Sequence, residues 1–294
     1  MKMHDDECDI DTALVRRLLA AQFPEYGKLP VRAVPSTGTV NVIFRLGSDL
    51  CARLPRVQRY AADLDNEWDW LPRLAPRLSL RVPEPVAKGA PDCGYPFSWA
   101  IYRWIDGQPY ADELVADECQ AALDLAGFVS QLRQIEVVAG APRAGRKPLR
   151  ELDTVTRAAI DAAGSDIDQE AANAAWDQAL EAPAWAGSPV WIHTDLLPPN
   201  LLVRGGRISA VIDFGAVGVG DPAADVVPAW SVFGPAGRGT FRAALAIDEA
   251  TWNRARGYAL HQAALIIPYY RETNPAFVAM ARRTVEEVLA DVSH

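Results

Sequence analysis

Apolar residues recur along the chain with two different periods, and each period predicts a different element. In residues 11–23 they return every three to four positions, which is typical of one face of a helix. Residues 31–56 hold three short apolar runs instead, separated by the polar loops 36–39 and 47–49, and these runs are predicted to be strands. The chain is therefore expected to open with a helix and a small antiparallel sheet.

The helical period dominates the rest of the chain. A helix interrupted by proline is predicted next, then a loop and a strand that ends at Trp104. Residues 190–213 return to short strands, and residues 140–148 (GAPRAGRKP) are predicted to be an exposed loop. The predicted helices cover residues 63–78, 118–135, 150–163, 168–180 and most of the chain after 213. This distribution predicts an α+β protein with a small sheet-rich N-terminal part and a larger, mostly helical C-terminal part.

Composition narrows the class of protein. The chain has 294 residues, half of them apolar and 23% charged, which is typical of a globular protein with a sizeable core. No apolar run has the length of a membrane span, and the acidic N-terminus has no apolar signal-like segment, so we expect a cytoplasmic protein without a membrane partner. The four cysteines have neither CxxC spacing nor histidine partners, which favours free thiols over disulfides or a zinc site.

Charge is distributed unevenly. The net charge is −9, and the basic patch expected of a nucleic-acid-binding protein is missing from the sequence. Residues 106–294 carry 15 Lys and Arg against 25 Asp and Glu, whereas the first 105 residues are almost balanced. An acidic half is most simply a well-solvated surface, but it is also compatible with a cleft that attracts a cationic small molecule.

Three polar side chains stand out in the strand-rich segment near residue 200. Asp195 and Asn200 lie in the largely apolar stretch HTDLLPPNLLV, and Asp213 follows the apolar run AVI. A turn at residues 204–207 would pair the two strands as a hairpin and bring Asn200 and Asp213 to the same end. Phosphoryl transfer needs one carboxylate to accept the proton of the attacking hydroxyl, and amide and carboxylate oxygens to hold magnesium.

These residues carry a resemblance to a known family. His193-x-Asp195-x₄-Asn200, followed by Ile212-Asp213-Phe214-Gly215, resembles the catalytic and metal-binding motifs of the aminoglycoside phosphotransferase family, which has a bilobal protein-kinase-like fold. The resemblance implies that Asp195 is the catalytic base, that Asn200 and Asp213 bind Mg²⁺, and that His193 braces the loop. It also implies ATP or GTP as phosphate donor, an N-terminal nucleotide-binding lobe (residues 1–104) and a C-terminal catalytic lobe (residues 105–294).

The same resemblance assigns residues to the nucleotide. Arg53 fills the position of the usual lysine on the third strand, a variant similar to macrolide-kinase-like relatives, and Glu67 on the next helix would be its ion-pair partner. The loop around Gly38 would cover the phosphates, and Tyr102-Arg103-Trp104-Ile105 would be the linker whose backbone hydrogen-bonds the purine. The residues expected to contact the nucleotide are Thr37, Gly38, Thr39, Asn41, Arg53, Glu67, Tyr102 and Trp104.

Three other features of the catalytic half lead to predictions. Thr194 stands where relatives commonly have glycine, so the loop must either keep negative φ there or be strained. Asp221 before Pro222 is predicted to be a helix N-cap rather than a catalytic acid. Side chains on the C-terminal helices are candidates for the acceptor pocket, although helical aromatics more often belong to the core: Trp230, Trp252, Tyr258, His261, Tyr269, Tyr270 and Glu272.

The sequence therefore predicts a Mg²⁺-dependent transfer of the γ-phosphate of ATP or GTP to a hydroxyl of a small molecule. An antibiotic acceptor such as an aminoglycoside or macrolide is the first hypothesis. A metabolic sugar or amino-alcohol kinase of the same fold is the alternative. A non-catalytic nucleotide-binding pseudokinase is a third hypothesis, motivated by Arg53 and Thr194. A protein kinase is less consistent, because the chain lacks an Ala-Pro-Glu segment and room for an activation loop after Asp213.

Overall fold

The structure, a computed structural model, describes residues 7–35 and 40–292. Its helices are α1 (Thr12–Gln22), α2 (Ala61–Leu74), α3 (Glu118–Gln134), α4 (Leu149–Ala163), α5 (Gln169–Leu180), α6 (Pro228–Ser231), α7 (Pro235–Ala244), α8 (Glu249–Tyr270) and α9 (Pro275–Val292). Its strands are β1 (Val31–Ala33), β2 (Asn41–Leu46), β3 (Leu50–Pro55), β4 (Pro85–Gly89), β5 (Trp99–Arg103), β6 (Gln108–Pro109), β7 (Val190–Ile192), β8 (Leu201–Arg204), β9 (Arg207–Val211) and β10 (Gly218–Gly220).

The first hundred residues build a five-stranded antiparallel sheet in the order β1-β2-β3-β5-β4. The turn between β2 and β3 contains Gly47 at φ +59°, a conformation that glycine adopts without steric cost. Strand β4 lies in a segment that the sequence predicted to be a loop, so that prediction was wrong. Its burial pattern has no clean alternation, and its pairing with β5 creates a strand that local pattern does not reveal.

Helix α1 packs its leucines against this sheet. Asp11 caps the helix by accepting a hydrogen bond from the Leu14 backbone N–H at 2.7 Å. The apolar face of α1 and the inner face of the sheet form one buried cluster, which includes Leu18, Phe44 and Trp99. Helix α2 lies next in the chain, and Pro72 lies within it two residues before its end. Because α2 carries its buried side chains on one face, it can present a polar residue to the site while its leucines pack.

The largest apolar core lies among the C-terminal helices. It includes Trp176, Trp230 and Tyr258, all almost completely buried. Two small sheets lie beside these helices, β7 with β10 and β6-β8-β9, and both are antiparallel. Helix α8 is the longest helix in residues 7–35 and 40–292 and is buried along most of its length, which agrees with its apolar composition.

The α+β class and the small antiparallel sheet ahead of a larger helical part are thus confirmed. The predicted boundary between residues 104 and 105 falls one residue after β5, and it stays a prediction. Across the described part of the chain, none of the helices combines the length and apolarity that a membrane crossing would need.

Candidate active site

The hairpin β8–β9 brings the predicted amide and acid together. Leu201 pairs with Val211, and the turn contains Gly205 and Gly206, both at positive φ. At the open end of the hairpin the Ile212 N–H donates to the Asn200 carbonyl at 2.9 Å. Asn200 and Asp213 therefore leave the hairpin from the same end, as the sequence predicted.

Asp195 lies beside Asn200 and accepts hydrogen bonds from two amides. The Asn200 Nδ2 atom donates to the Asp195 Oδ2 at 2.8 Å and to the Asp195 backbone carbonyl at 2.9 Å. Gln262 on α8 donates to the other carboxylate oxygen at 3.4 Å. The aspartate is only partly buried, so both of its oxygens are oriented while a face remains accessible to a small molecule.

His193 and Asp225 hold the loop that carries Asp195. The His193 Nδ1 accepts from the Asp195 backbone N–H at 3.3 Å, so its Nε2 carries the proton and donates to the Ile212 carbonyl at 3.2 Å. Asp225 is completely buried and accepts from the backbone N–H groups of His193 and Thr194 at 2.8 and 2.7 Å. The sequence did not indicate this bracing role of Asp225, whose only signal is its position in the segment GDPAAD.

Thr194 adopts φ +75°, so of the two alternatives the strained one is realised. A β-branched residue is disfavoured in this region by about 1–3 kcal/mol. The hydrogen bond from its N–H to Asp225 stabilises the conformation, because a buried carboxylate that lost this donor would be left undersatisfied. Asp225 therefore offsets the strain at Thr194.

Arg53, Glu67 and Asp213 form one charged network between the sheet, α2 and the segment after β9. The Arg53 guanidinium lies 2.6 Å from Glu67 Oε1 and 2.9 Å from Asp213 Oδ1, so the predicted Arg53–Glu67 ion pair is present. Glu67 is fully buried and also accepts from the Phe214 backbone N–H at 2.7 Å. Burial alone would lower the pKa of Arg53, but the carboxylates of Glu67 and Asp213 raise its pKa well above the ordinary value.

Asn66 was not singled out from the sequence, yet it fastens the segment after Asp213 to α2. Its Nδ2 donates to the carbonyls of Gly215 and Val217 at 2.8 and 2.9 Å. Asp213 itself has φ +68°, so this segment is bent where the acid projects. Asn66 and Glu67 are adjacent in the chain and together fix the backbone on both sides of Phe214.

The protonation of Asp195 is set by opposing effects. Burial raises the pKa of the carboxyl group, and the negative charge of Asp213 raises it further. His193, Arg146 and the hydrogen bond from Asn200 act in the opposite direction. A carboxylate with a raised pKa is a stronger base, which is what proton abstraction from a hydroxyl requires.

The donor atoms at the end of the hairpin fit magnesium. The Asn200 amide uses its nitrogen for Asp195, which leaves its Oδ1 oxygen without a protein partner among the described residues, and Asp213 uses Oδ1 for Arg53 and keeps Oδ2. Amide and carboxylate oxygens are hard ligands of the kind that Mg²⁺ binds alongside water and phosphate. Nowhere in residues 7–35 and 40–292 do three or more His, Cys, Asp or Glu side chains form a metal-binding group, so a metal held here would have few protein ligands.

Of the other residues predicted to contact the nucleotide, three fall outside the described part of the chain, and Asn41 and Tyr102 are buried. Thr37, Gly38 and Thr39 lie outside the described residues. Asn41 begins β2 with its side chain buried, and among the described residues its Oδ1 has no hydrogen-bond partner. Tyr102 is buried under Arg53, whose guanidinium carbon lies 5.3 Å from the ring centroid.

The proposed purine contact has fewer free donors than expected. The Trp104 N–H donates to the Asp49 carbonyl at 2.8 Å, and the Arg103 N–H donates to the Glu84 carbonyl at 2.9 Å. The Arg45 guanidinium carbon lies 4.0 Å from the centroid of the Trp104 ring, and the indole N–H of Trp104 donates to Asp106. The assignment of Tyr102 and Trp104 to the nucleotide stays a prediction.

The acceptor candidates divide by exposure. Five of the seven are buried in the helical core: Trp230, Trp252, Tyr258, His261 and Tyr270. Only Tyr269 and Glu272 are exposed. Sequence reasoning missed Gln262, although it lies one position after His261 and contacts Asp195.

The segment 140–148 is a largely exposed loop, as predicted, but it is also bound to a strand. Its backbone pairs with β10, since the Val219 N–H donates to the Pro142 carbonyl at 2.8 Å and the Ala144 N–H donates to the Val219 carbonyl at 3.1 Å. Arg146 is drawn inward, and its Nε atom is buried. The Gly, Pro and Arg composition resembles that of a surface loop, so only tertiary contacts reveal this strand-like pairing. Asp221, as predicted, caps the following helical turn by accepting from the Ala223 N–H at 2.9 Å.

Solved structures of antibiotic-modifying enzymes share this architecture. A GDP and kanamycin complex of APH(2″)-IIIa superimposes with a TM-score of 0.76 at 20% identity, covering 94% of this chain and 98% of that chain. The macrolide 2′-phosphotransferase MphH from Brachybacterium faecium, an apoenzyme, superimposes with a TM-score of 0.58 at 21% identity, covering 94% of this chain and 98% of that chain. At these identities the likeness establishes a shared fold.

Sequence comparisons identify the family. The uncharacterized protein YcbJ of Bacillus subtilis (strain 168) is 27% identical over 169 residues, which are 54% of this chain; the chain spans about half, 53%, of that relative's length. The model of the phosphotransferase enzyme family (APH) matches residues 31–259, which include the network around Arg53 and the whole hairpin site. The chain therefore belongs to the phosphotransferase enzyme family and has its kinase-like fold.

Proposed function

We propose that this protein transfers the γ-phosphate of ATP or GTP, with Mg²⁺, to a hydroxyl group of a small molecule. The observation that carries the proposal is the convergence of Asp195, Asn200 and Asp213 at one end of the β8–β9 hairpin. The retention of all three side chains, together with the Arg53–Glu67 ion pair, favours an active kinase over a nucleotide-binding pseudokinase.

Each side chain has a separate task in the proposed reaction. Asp195 accepts the proton of the acceptor hydroxyl, while Asn200 and Gln262 keep its carboxylate oriented. The acceptor oxygen forms a bond to the γ-phosphorus as the bond to the β-phosphate oxygen breaks, and the nucleoside diphosphate leaves. Magnesium, when bound, neutralises charge on the phosphates. Asn200 and Asp213 would hold it through their free oxygens, and Arg53 would contact phosphate oxygens.

The nature of the acceptor follows from the relatives only as a hypothesis. A structural neighbour was solved with kanamycin and another is a macrolide phosphotransferase, so we include both antibiotic classes among the acceptors to be tested. Phosphorylation adds bulk and about two negative charges, which would spoil the fit of a drug to its target. A sugar or amino-alcohol kinase remains the alternative, and mass spectrometry of a compound library incubated with protein, Mg²⁺ and each nucleotide would identify the acceptor by the gain of one phosphoryl group.

The role of Asp195 can be tested by an isosteric change. Asp195→Asn removes the base and retains the shape, so we expect turnover to fall at least about 100-fold while nucleotide affinity stays within about twofold. The control is Asp161→Asn, an exposed aspartate on α4, which should leave both quantities unchanged. Steady-state phosphoryl transfer and calorimetric nucleotide binding measure the two effects. Undiminished turnover in Asp195→Asn would refute the mechanism.

A further inference from the structure

A cavity of about 330 Å³ lies between the segment 143–150, the segment 182–189, β10 and α8. Its volume is at the lower end of the range of small-molecule sites. Although the chain has a net charge of −9, four of the residues that line the cavity are arginines: Arg143, Arg146, Arg150 and Arg254. We call it the arginine cavity.

Among the described residues, Arg254 is the only one of the four arginines that forms an ion pair. Arg254 forms a bidentate pair with Asp221, at 2.8 and 3.1 Å, and donates to the Pro183 carbonyl. In the part of the chain that the structure describes, the side chains of Arg143, Arg146 and Arg150 form no hydrogen bond or ion pair with the protein. The Nε atom of Arg146 is nevertheless buried, so a donor there is shielded from water without a protein acceptor.

The backbone adds positive potential to the same place. Helix α4 begins at Leu149 on the wall of the cavity, and its N-cap residue, Pro148, provides no side-chain acceptor. The first turn of a helix carries unsatisfied N–H groups and the positive end of the helix dipole. An uncapped helix start and three unpaired guanidinium groups together favour an anion.

Apolar residues also line the cavity. Trp185 lines it and is 38% exposed, with the Arg254 guanidinium carbon 5.4 Å from its ring centroid. Leu149, Ala182 and Pro189 extend the apolar surface. This lining favours an organic anion with an apolar body over a bare inorganic ion, because an apolar body would be stabilised by burial against these residues.

We infer that the arginine cavity binds a small organic molecule through a carboxylate or phosphate group held by Arg143, Arg146 and Arg150, with the body of the molecule against Trp185. The cavity lies close to the catalytic base. Tyr258 lines it, and Gln262, one turn or about 6 Å further along α8, donates to Asp195. Arg146 connects the cavity with the catalytic base, since it lines the cavity and interacts electrostatically with Asp195.

The anionic group could therefore belong to the acceptor itself or to a separate molecule bound next to it. The first of these two sources rests on the proposed kinase function, whereas binding of an anion does not. A binding experiment without nucleotide consequently separates failure of the cavity from failure of the proposed function.

Phenyl phosphate is a suitable probe, since it combines a phosphate with one aromatic ring, and benzyl alcohol is its uncharged counterpart. We expect saturable calorimetric binding of phenyl phosphate that weakens with added salt, and no measurable binding of benzyl alcohol. Arg143→Gln and Arg150→Gln remove exposed, unpaired guanidinium groups, and each should weaken binding about five- to tenfold. Lys147→Gln is the matched control, because it removes the same charge from the same segment at a side chain that does not line the cavity, and it should change affinity less than about twofold.

The outcomes are distinct. Absence of saturable binding, or equal weakening by Lys147→Gln, would overturn the inference. The source is then decided by phosphoryl transfer to hydroxyl compounds compared in pairs with and without a carboxylate. A preference for the carboxylated member that disappears in Arg150→Gln assigns the anionic group to the acceptor. Equal rates within each pair, with phenyl phosphate still bound by the cavity, assign it to a separate ligand.

Discussion

Arg53 holds two acids from different parts of the chain. One guanidinium nitrogen contacts Glu67 on α2 and another contacts Asp213 after β9, and the side chain of Arg53 is only 11% exposed. Lysine has a single nitrogen at the end of a flexible stem, so it could not reproduce this fork. The arginine at this position is therefore compatible with an intact network.

Removing Arg53 should destabilise the fold. Arg53→Ala leaves the buried Glu67 carboxylate without its cation, and loss of one partner of a buried pair typically costs about 3–5 kcal/mol. We expect the free energy of unfolding in urea to fall by that amount, and Arg53→Lys to have a smaller effect. Arg32→Ala, on an exposed position of β1, is the control and should change stability by less than about 0.5 kcal/mol. A loss in Arg53→Ala no larger than in the control would contradict a structural role.

At Thr194, a substitution that relieves strain should instead raise the free energy of unfolding. Thr194→Gly removes the penalty of positive φ, which exceeds the backbone entropy that glycine adds to the unfolded state, so we expect a gain of about 1 kcal/mol in the free energy of unfolding. Thr194→Val keeps the branched Cβ and should show no gain. Urea denaturation of both variants measures the difference, and equal stabilities would mean that the loop is not strained.

Packing between helices depends on a buried imidazole. His261 on α8 lies 2.8 Å from the Thr156 hydroxyl on α4 and stacks on Trp176 of α5. The Thr156 hydroxyl donates its hydrogen to the Leu152 carbonyl, so the His261 Nδ1 carries a proton and donates to the hydroxyl oxygen. Burial, with a smaller contribution from the nearby charge of Arg146, lowers the pKa of His261 to about 4, so the imidazole is neutral at neutral pH.

This pKa predicts acid sensitivity of the packing of α4, α5 and α8. The folded-state pKa is below the ordinary value of about 6.5, so the unfolded state binds the proton more readily and stability falls as pH decreases from about 6.5 to 4. We expect this group to account for a loss of about 3 kcal/mol by pH 4. His261→Gln should show a correspondingly smaller loss over that interval in urea denaturation. The carboxylates titrate in both proteins, so parallel stability curves would exclude His261 as the cause.

Taken as a whole, the molecule connects its N-terminal sheet to its helical part through charges at the site. The Arg53–Asp213 contact and the bonds from Asn66 to Gly215 and Val217 link elements that are about 150 residues apart in the chain. A ligand that bridges the same elements adds its binding energy to folding, since only the folded protein offers both sides of the site. Nucleotide and magnesium should therefore stabilise the entire protein.

A non-hydrolysable ATP or GTP analogue with Mg²⁺, at about 100 times its dissociation constant, should raise the free energy of unfolding by about 3 kcal/mol. In Asp213→Asn the new side chain tolerates positive φ, but a charged magnesium ligand is lost. The magnesium-dependent part of the stabilisation, which is the part that EDTA abolishes, should therefore be much smaller than in the unaltered protein. Thermal or urea denaturation with and without EDTA measures it. An equal magnesium effect in Asp213→Asn would exclude this aspartate as a metal ligand.

Local sequence determined the elements with strong periodicity and the polar residues that carry chemistry. The helices, the β8–β9 hairpin and the spacing of Asp195, Asn200 and Asp213 could be read directly, because apolar period and turn composition act over a few residues. The Arg53–Glu67 pair was anticipated through family resemblance, which supplies a contact that periodicity cannot. The α+β class followed from the order of these elements.

Tertiary structure decided everything that depends on partners distant in sequence. Strand β4 forms because it pairs with β5, and the backbone of the segment 140–148 is fixed by hydrogen bonds to β10. Thr194 keeps positive φ because the buried Asp225 accepts a hydrogen bond from its N–H. The arginine cavity also depends on distant residues, since Arg143 in a loop and Arg150 at the start of α4 meet Arg254 of α8 only in the folded protein. Sequence patterns report the preference of each segment, whereas burial and long-range hydrogen bonds determine which of those preferences survive.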